Sequence, residues 1–167
     1  ETIRSVSMRI LATFILSASL VSTGASAFDS EHLKQLKETN ACSKCDLSDA
    51  DLSDLDLAKA KINRTNLSGA NLSGANLMFA NLVGSRFIGA NMTEINLSAA
   101  NASGANLKGA NLTDAKLIRS RLRGANLAET DLTGANMKGA NLSDISQDKA
   151  IFCNTIMSDG RVERSGC

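Results

Sequence analysis

The sequence predicts an all-β solenoid, a chain wound into stacked coils around one apolar axis. Three features predict it: a large apolar residue at every fifth position over about one hundred residues, a small residue two positions earlier, and Asn or Asp between them. Composition agrees, because aromatic residues make up only 3% of the 167-residue chain and Pro, Trp and Tyr are absent. The core must therefore be built from many small apolar side chains.

The N-terminal segment, residues 1–27, is predicted to be a secretory signal. From Met8, the expected true start, the chain continues with the basic Arg9, an apolar run over 10–21, and small residues at the first and third positions before a cut after Ala27. The apolar run is too short and too rich in Ser and Ala for a strong transmembrane helix. We expect cleavage after Ala27 and a periplasmic or secreted protein with equal numbers of acidic and basic residues.

Residues 28–45 are predicted to form an N-terminal cap with a short helix from about 30 to 38. Ser30 is the expected N-cap residue, because its hydroxyl can accept a hydrogen bond from the first turn. Such a helix would cover the apolar end of the first coil and shield its unpaired backbone. We expect His32 to be an exposed helix residue without a catalytic role. The apolar positions of the helix are Leu33 and Leu36.

Residues 46–145 carry the five-residue repeat. Side chains spaced five residues apart would spiral around an α-helix and would alternate between the two faces of a flat strand. Because neither arrangement buries all of them together, the chain must bend once in every unit. Stacked coils can then bury every central side chain along one axis. Nineteen of the twenty central positions hold a large apolar residue, Ala102 being the exception. These positions are Leu47, Leu52, Leu57, Ile62, Leu67, Leu72, Leu77, Leu82, Phe87, Met92, Leu97, Ala102, Leu107, Leu112, Leu117, Leu122, Leu127, Leu132, Met137 and Leu142.

The repeated runs ANLSG, ANLKG and ANLTD, the first at residues 70–74, resemble the pentapeptide-repeat family. That resemblance implies a right-handed β-helix of square cross-section with four units, or twenty residues, in each coil. Twenty units then make about five coils and a rod roughly 24 Å long, at about 4.8 Å per coil.

The twenty-residue coil explains two irregularities of the repeat. Phe87, the largest central residue, and Ala102, the smallest, fall in one coil, so the volume of that layer is nearly conserved. Bulky residues stand at the small position at Leu55, Ile95 and Ile145, and two of these lie in terminal coils with free space. Ile95 lies in the middle, where we expect a local distortion.

The four cysteines lie in the two caps, Cys42 and Cys45 before the repeats and Cys153 and Cys167 in the tail, residues 146–167. The rod would separate the caps by far more than the ~7 Å that a disulfide tolerates between Cα atoms. We therefore expect the local pairs Cys42–Cys45 and Cys153–Cys167 in an oxidising compartment. The CxxC spacing, with Lys44 inside it, also fits thiol–disulfide chemistry or a metal ligand pair.

The charged residues of the repeats are sorted when they are assigned to the sides of a twenty-residue coil. The sides centred on Leu57 and Ile62 carry eight of the ten cations, and the sides centred on Leu47 and Leu52 carry eight of the ten anions. Such sorting favours a binding or self-association surface. A weak cation site, either at Glu94 and Asp114 in neighbouring coils or in the cluster from Asp46 to Asp56, is the less favoured use of the acidic sides. The candidate binding face for an anionic partner consists of Lys116, Arg119, Arg121 and Arg123.

The function predicted from these features is that of a non-catalytic exported scaffold or protein-binding module. The repeats contain no nucleophile–base–acid constellation, cofactor loop or metal cluster, so no catalytic, cofactor or metal residue is assigned. We expect an unidentified protein partner or a homodimer, and neither nucleic acid nor a membrane span. The alternative is periplasmic thiol–disulfide chemistry at Cys42 and Cys45. A third reading, implied by the family, is DNA mimicry directed at a type II topoisomerase, which would need an acidic cytoplasmic rod.

Overall fold

The computed structural model of the protein describes residues 28–167, so the predicted signal, start and cleavage site lie outside the described residues. Helix α1 spans Ser30–Thr39. Near the C-terminus, strands β1 (Thr155–Ile156) and β2 (Val162–Glu163) pair antiparallel. Within the described part of the chain, no helix has the length and apolar character needed to cross a membrane.

Between these elements the backbone forms a ladder of single parallel bridges. Each bridge joins a residue to the one twenty positions later, from Ala41 with Lys61 to Asn136 with Ile156. One coil therefore contains twenty residues and four units, and each unit contributes one bridge rather than an extended strand. The twenty-residue coil, which the five-residue period alone does not specify, is thus a property of the backbone pairing.

Each unit bends through a turn just after its central residue. In the unit of Leu47, the N–H of Ala50 donates to the carbonyl of Leu47 at 3.2 Å, and Asp49 between them has φ +58°. A positive φ at the third residue of such a turn is the type II geometry, which Gly adopts at no steric cost. The bend predicted from the five-residue period therefore comes from a repeated turn.

The core is the column of central side chains, together with the small residues of the turns. Nineteen of the twenty predicted central residues are at most 3% exposed, and only Leu142, in the last coil, is half-buried. Phe87 and Ala102 are both buried. Ile95 is also fully buried, its turn hydrogen bond to Met92 is 3.3 Å against 3.2 Å in the unit of Leu47, and the bridges of its coil persist. The backbone at Ile95 therefore does not show the local distortion that we expected.

Serine or threonine replaces alanine at five of the small positions, and all five side chains are buried. Three of their hydroxyls donate to the carbonyl of a central residue in the preceding coil, and the hydroxyl of Thr65 donates to the carbonyl of Cys42. Thr130, for example, donates to Leu107 at 2.8 Å, and Ser85 donates to Ile62 at 2.6 Å. The Ser120 hydroxyl has no hydrogen-bond partner in the described structure. Polar side chains thus enter the core mostly where they can bond across coils.

Helix α1 packs on the first coil, where the N–H of Asp29 donates to the carbonyl of Asp46 at 3.3 Å. Its N-cap is Asp29, whose side chain accepts from the N–H of Glu31 at 2.9 Å, so the prediction that Ser30 is the N-cap was wrong by one residue. Both residue types cap helices well, and the carboxylate of Asp29 also suits the positive end of the helix dipole. Leu36 is fully buried beneath the helix, and Leu33 packs beside it, half-buried.

One disulfide lies at each end of the ladder. Cys42 is bonded to Cys45, with their Cα atoms 5.5 Å apart, inside the first turn. Cys153 is bonded to Cys167, with Cα atoms 4.8 Å apart, and so closes the tail that contains the β1–β2 hairpin. The N–H of Phe152 donates to the carbonyl of Ser165, which holds the tail against the last coil.

Candidate protein-binding surface

The four cations of the candidate face lie in two consecutive units of one coil, and we call them the basic cluster: Lys116, Arg119, Arg121 and Arg123. All four are exposed. The backbone N–H groups of Lys116, Arg119 and Arg121 each donate to a carbonyl of a neighbouring coil at 2.8–2.9 Å. The bridges therefore hold the backbone under the cluster in a fixed position while the charged groups remain in water.

Only one member of the basic cluster has an acidic partner within the described chain. Arg123 lies 3.3 Å from Asp144, and both side chains are 70% exposed. Such an exposed pair contributes little to stability. Among residues 28–167, no carboxylate comes within ion-pair distance of Lys116, Arg119 or Arg121. The cluster therefore presents positive charge that the described chain does not neutralise.

The acidic sides of the rod are organised by local hydrogen bonds. The Ser48 hydroxyl donates to Asp46 at 2.7 Å and the Ser48 N–H donates to it at 3.1 Å, and these bonds hold the pKa of the Asp46 carboxyl below its ordinary value. Ser53 lowers the pKa of Asp51 in the same way, first through its hydroxyl and then through its N–H. These carboxylates are therefore charged at neutral pH and already accept the donors of their own turns.

The acidic residues do not gather into a metal centre. In the part of the chain described here, no group of three or more His, Cys, Asp or Glu side chains could hold a metal ion. Glu94 and Asp114 occupy equivalent turn positions of successive coils, with φ +57° and +56°. Among the described residues, this pair has no third acidic, His or Cys side chain beside it.

The cap holds the other residues singled out by the sequence. His32 is half-buried rather than exposed, because its Nδ1 accepts the N–H of Asp46 at 3.1 Å and lies 3.6 Å from Asp29. It thereby ties α1 to the first coil. Cys42 is fully buried and Cys45 is 5% exposed. Thiol–disulfide exchange requires direct attack on a sulfur, so the burial of both cysteines restricts this chemistry.

Sequence reasoning missed the exposed apolar residues beside the basic cluster. Phe79 is 57% exposed at φ +61°, and Ile118 is 36% exposed. A left-handed backbone conformation costs a residue with a Cβ roughly 1–2 kcal/mol, so Phe79 combines backbone strain with an exposed aromatic ring. The signal was present in the sequence, since Phe79 stands two positions after the central Leu77, where Gly is common.

Comparison with known proteins places the repeats in a family. The family model for pentapeptide repeats matches residues 42–77, 75–114 and 110–145, with eight copies. No curated protein matches the sequence. Among solved structures, Rfr23 from the cyanobacterium Cyanothece 51142 is 29% identical, covers 76% of this chain and 97% of its own, and has a TM-score of 0.70.

Two further solved structures are similar in sequence pattern but superpose less well. HetL from Nostoc sp. strain PCC 7120, a pentapeptide-repeat protein involved in heterocyst differentiation regulation, is 30% identical over 74% of this chain and 70% of its own, with a TM-score of 0.24. QnrB1, a plasmid-mediated fluoroquinolone resistance protein, is 20% identical over 69% and 68%, with a TM-score of 0.30. The family implies a right-handed quadrilateral β-helix, and the twenty-residue pairing agrees with it. The chain belongs to the pentapeptide-repeat family.

Proposed function

We propose that this protein is a non-catalytic, exported binding module whose basic cluster docks an anionic protein partner. The observation that carries the proposal is the absence, among residues 28–167, of a carboxylate partner for three of the four cations of the cluster. Unneutralised charge on one side of a protein speeds the encounter with an oppositely charged partner and orients it.

The backbone beneath the cluster supports the same proposal. Bridges on both sides hold the coil of Lys116 and Arg121, so the Cα positions of the cluster are set before any partner arrives. A preformed surface loses less conformational freedom on binding than a flexible loop does, and more of the interaction energy then appears as affinity. A solenoid side is suited to recognition because it offers a long array of side chains at regular spacing.

Export is part of the proposal. The apolar segment before Ala27 supports it, and so do the two local disulfides, which persist in oxidising compartments. Cell fractionation followed by mass measurement of the released protein tests this part. We expect a periplasmic or secreted chain beginning at Phe28, and recovery of the uncleaved chain in the cytoplasm would contradict export.

The binding proposal is tested with a charge-reversed variant of the cluster, Arg119→Glu, Arg121→Glu and Arg123→Glu, used as bait for extracts of the compartment where the protein resides. A matched control reverses three exposed cations outside the cluster: Arg86→Glu, Lys149→Glu and Arg164→Glu. We expect the wild type and the control to capture the same protein and the cluster variant to lose it. Equal capture by all three baits would overturn the proposal.

Two other functions receive less support. Thiol–disulfide chemistry would use Cys42 and Cys45, both buried under α1, and an insulin-reduction assay would detect it. DNA mimicry toward a topoisomerase requires a dominant acidic surface in the cytoplasm, whereas the cluster side of this rod is basic. A gyrase supercoiling assay distinguishes this function from the proposed one. We expect no response in either assay.

A further inference from the structure

Side chains of unequal length outline a groove across one side of the rod, beside the basic cluster. The unit over residues 96–100 carries only short side chains on its outer surface, whereas the units stacked on either side of it carry Met78 and Phe79 in one coil and Lys116, Ile118 and Arg119 in the other. The twenty-residue register stacks Phe79, Ala99 and Arg119 in one column at successive turns. Ala99 is therefore the floor between an aromatic ring on one side and a guanidinium on the other.

Exposure agrees with this arrangement. Along this column the residues at the equivalent turn position are exposed at Lys59, Phe79, Arg119 and Gly139, but Ala99 is half-buried. Ala99 lies between the longer side chains of Phe79 and Arg119, and these two neighbours shield it. One coil rises about 4.8 Å, so the backbones that carry the two walls lie about 10 Å apart.

The walls differ in chemistry. Met78 and Phe79 make one wall apolar, and Phe79 is 57% exposed. Lys116 and Arg119 of the basic cluster form the other wall, with Ile118 between them, and Arg121 and Arg123 continue the positive charge onto the next side of the coil. An aromatic ring held in water at a strained φ is an unfavourable combination for stability, and such features concentrate at functional sites. An extended chain that lies above Ala99, along the groove, turns one row of side chains toward each wall, because successive side chains of a strand point to opposite sides.

Resting on the proposed function, we infer that the groove binds an extended segment of a partner protein in which acidic and apolar residues alternate. Its carboxylates meet the basic cluster, and its apolar side chains meet Met78 and Phe79. Charge complementarity selects an acidic segment, and the opposite wall requires an apolar side chain at every second position. The segment runs parallel to the coils, across the axis of the rod.

The test uses the full chain and a labelled twelve-residue peptide alternating aspartate and leucine, with binding followed by fluorescence anisotropy. A second peptide of the same composition has its aspartates in one half and its leucines in the other. We expect the alternating peptide to bind at least about tenfold more tightly, because only it presents one chemistry to each wall. Equal affinity for the two peptides would overturn the inference.

Three variants locate the binding. Ala99→Arg fills the floor yet adds a cation, and Arg119 and Arg64 already occupy equivalent turn positions with φ +56° and +57°, so the fold tolerates it. Phe79→Asn removes the aromatic wall with a residue that accepts positive φ. We expect Ala99→Arg and Phe79→Asn each to weaken peptide binding at least about tenfold. The control Val162→Asn changes an exposed apolar residue outside the groove and should leave binding unchanged.

The outcomes separate this inference from the proposed function. Undiminished binding by Ala99→Arg would show a diffuse basic surface, which overturns the groove and leaves the proposed binding module standing. Phosphatidylglycerol vesicles or duplex DNA that displace the peptide from the wild type and bind as tightly would also overturn the groove. Equal partner capture by the charge-reversed bait would instead remove the proposed function itself.

Discussion

The carboxylate of Asp49 fills the space beside the Cα of Gly69, one coil further along, where a Cβ would have to go. Gly69 also has φ +70°, so two independent constraints act at this turn. Gly89 has nearly the same φ, +64°, but no atom lies within 4 Å of the position of its missing Cβ. Substituting Gly89 therefore measures the free-energy cost of the backbone conformation alone, whereas substituting Gly69 adds the cost of the close contact with Asp49.

We predict that Gly89→Ala lowers the free energy of unfolding by roughly 1–2 kcal/mol through left-handed strain alone. Gly69→Ala should lower it further, because the Asp49 side chain must move. Urea unfolding of both variants measures the difference. Adding Asp49→Ala should make the two glycine substitutions equivalent, and a difference that persists in that background would contradict the contact.

Ser85 and Ser120 provide a second matched pair, since both are buried serines at the small position of a unit. The Ser85 hydroxyl donates to the Ile62 carbonyl and accepts the N–H of Thr65 at 3.2 Å, whereas the Ser120 hydroxyl has no partner in the described structure. Ser85→Ala should cost roughly 1–3 kcal/mol of unfolding free energy by leaving two buried groups unpaired. Ser120→Ala should be neutral or stabilising. Thermal melts compare the two variants, and an equal loss of stability in both would contradict the difference in hydrogen bonding between Ser85 and Ser120.

Leu97 tests the core at the middle of the rod, where it is 2% exposed. Leu97→Asp would bury an unpaired carboxylate at a cost of several kcal/mol, a large part of the stability of a typical domain. We predict that its cooperative melt, followed by circular dichroism, is abolished. Lys138→Asp places the same side chain on the exposed surface and should melt like the wild type. A melt of the Leu97 variant within a few degrees of the wild type would show that this side chain does not face inward.

The acidic turns predict how stability depends on pH. The hydroxyl and N–H of Ser53 hold the pKa of Asp51 below its ordinary 3.8. A carboxyl with a lowered folded pKa stabilises the fold above its unfolded pKa, and the stabilisation is lost as pH falls through the folded value. Tm should therefore decrease as the pH falls below about 4.

Asp51→Asn is the control for this decrease. Asn keeps the acceptor oxygen, as Asn71 does one coil later, where its Oδ1 accepts the N–H of Ser73 at 3.3 Å. The variant should lose less Tm between pH 5 and pH 2 than the wild type, because one of the titrating carboxyls is gone. An acid dependence as steep as that of the wild type would show that Asp51 contributes nothing to it.

The five-residue period predicted the inward direction of the central side chains because each turn repeats the same geometry, and the burial of Leu97 and Phe87 follows from it. The N-cap was misplaced because Asp29 and Ser30 are both good caps and only the path of the chain decides between them. His32 was misjudged because its partner, the N–H of Asp46, belongs to another element.

The surface could be predicted only through the number of units in a coil. That number came from the family resemblance, and it determines which cations share a side. The exposure of Phe79 follows from its turn position in the repeat, but the shielding of Ala99 depends on neighbours twenty residues away, so the local pattern does not reveal it. The candidate cluster could be named from the sequence, but the groove beside it depends on how the coils stack.

Every backbone bridge joins residues twenty positions apart, and this constant spacing restricts which insertions and deletions preserve the surface of the rod. Loss or duplication of one five-residue unit would preserve a continuous apolar interior, yet it would rotate everything downstream by a quarter turn. If the change falls between Phe79 and Arg119, the two residues no longer share a column. Length variation between them that keeps this column intact must therefore proceed in steps of twenty codons.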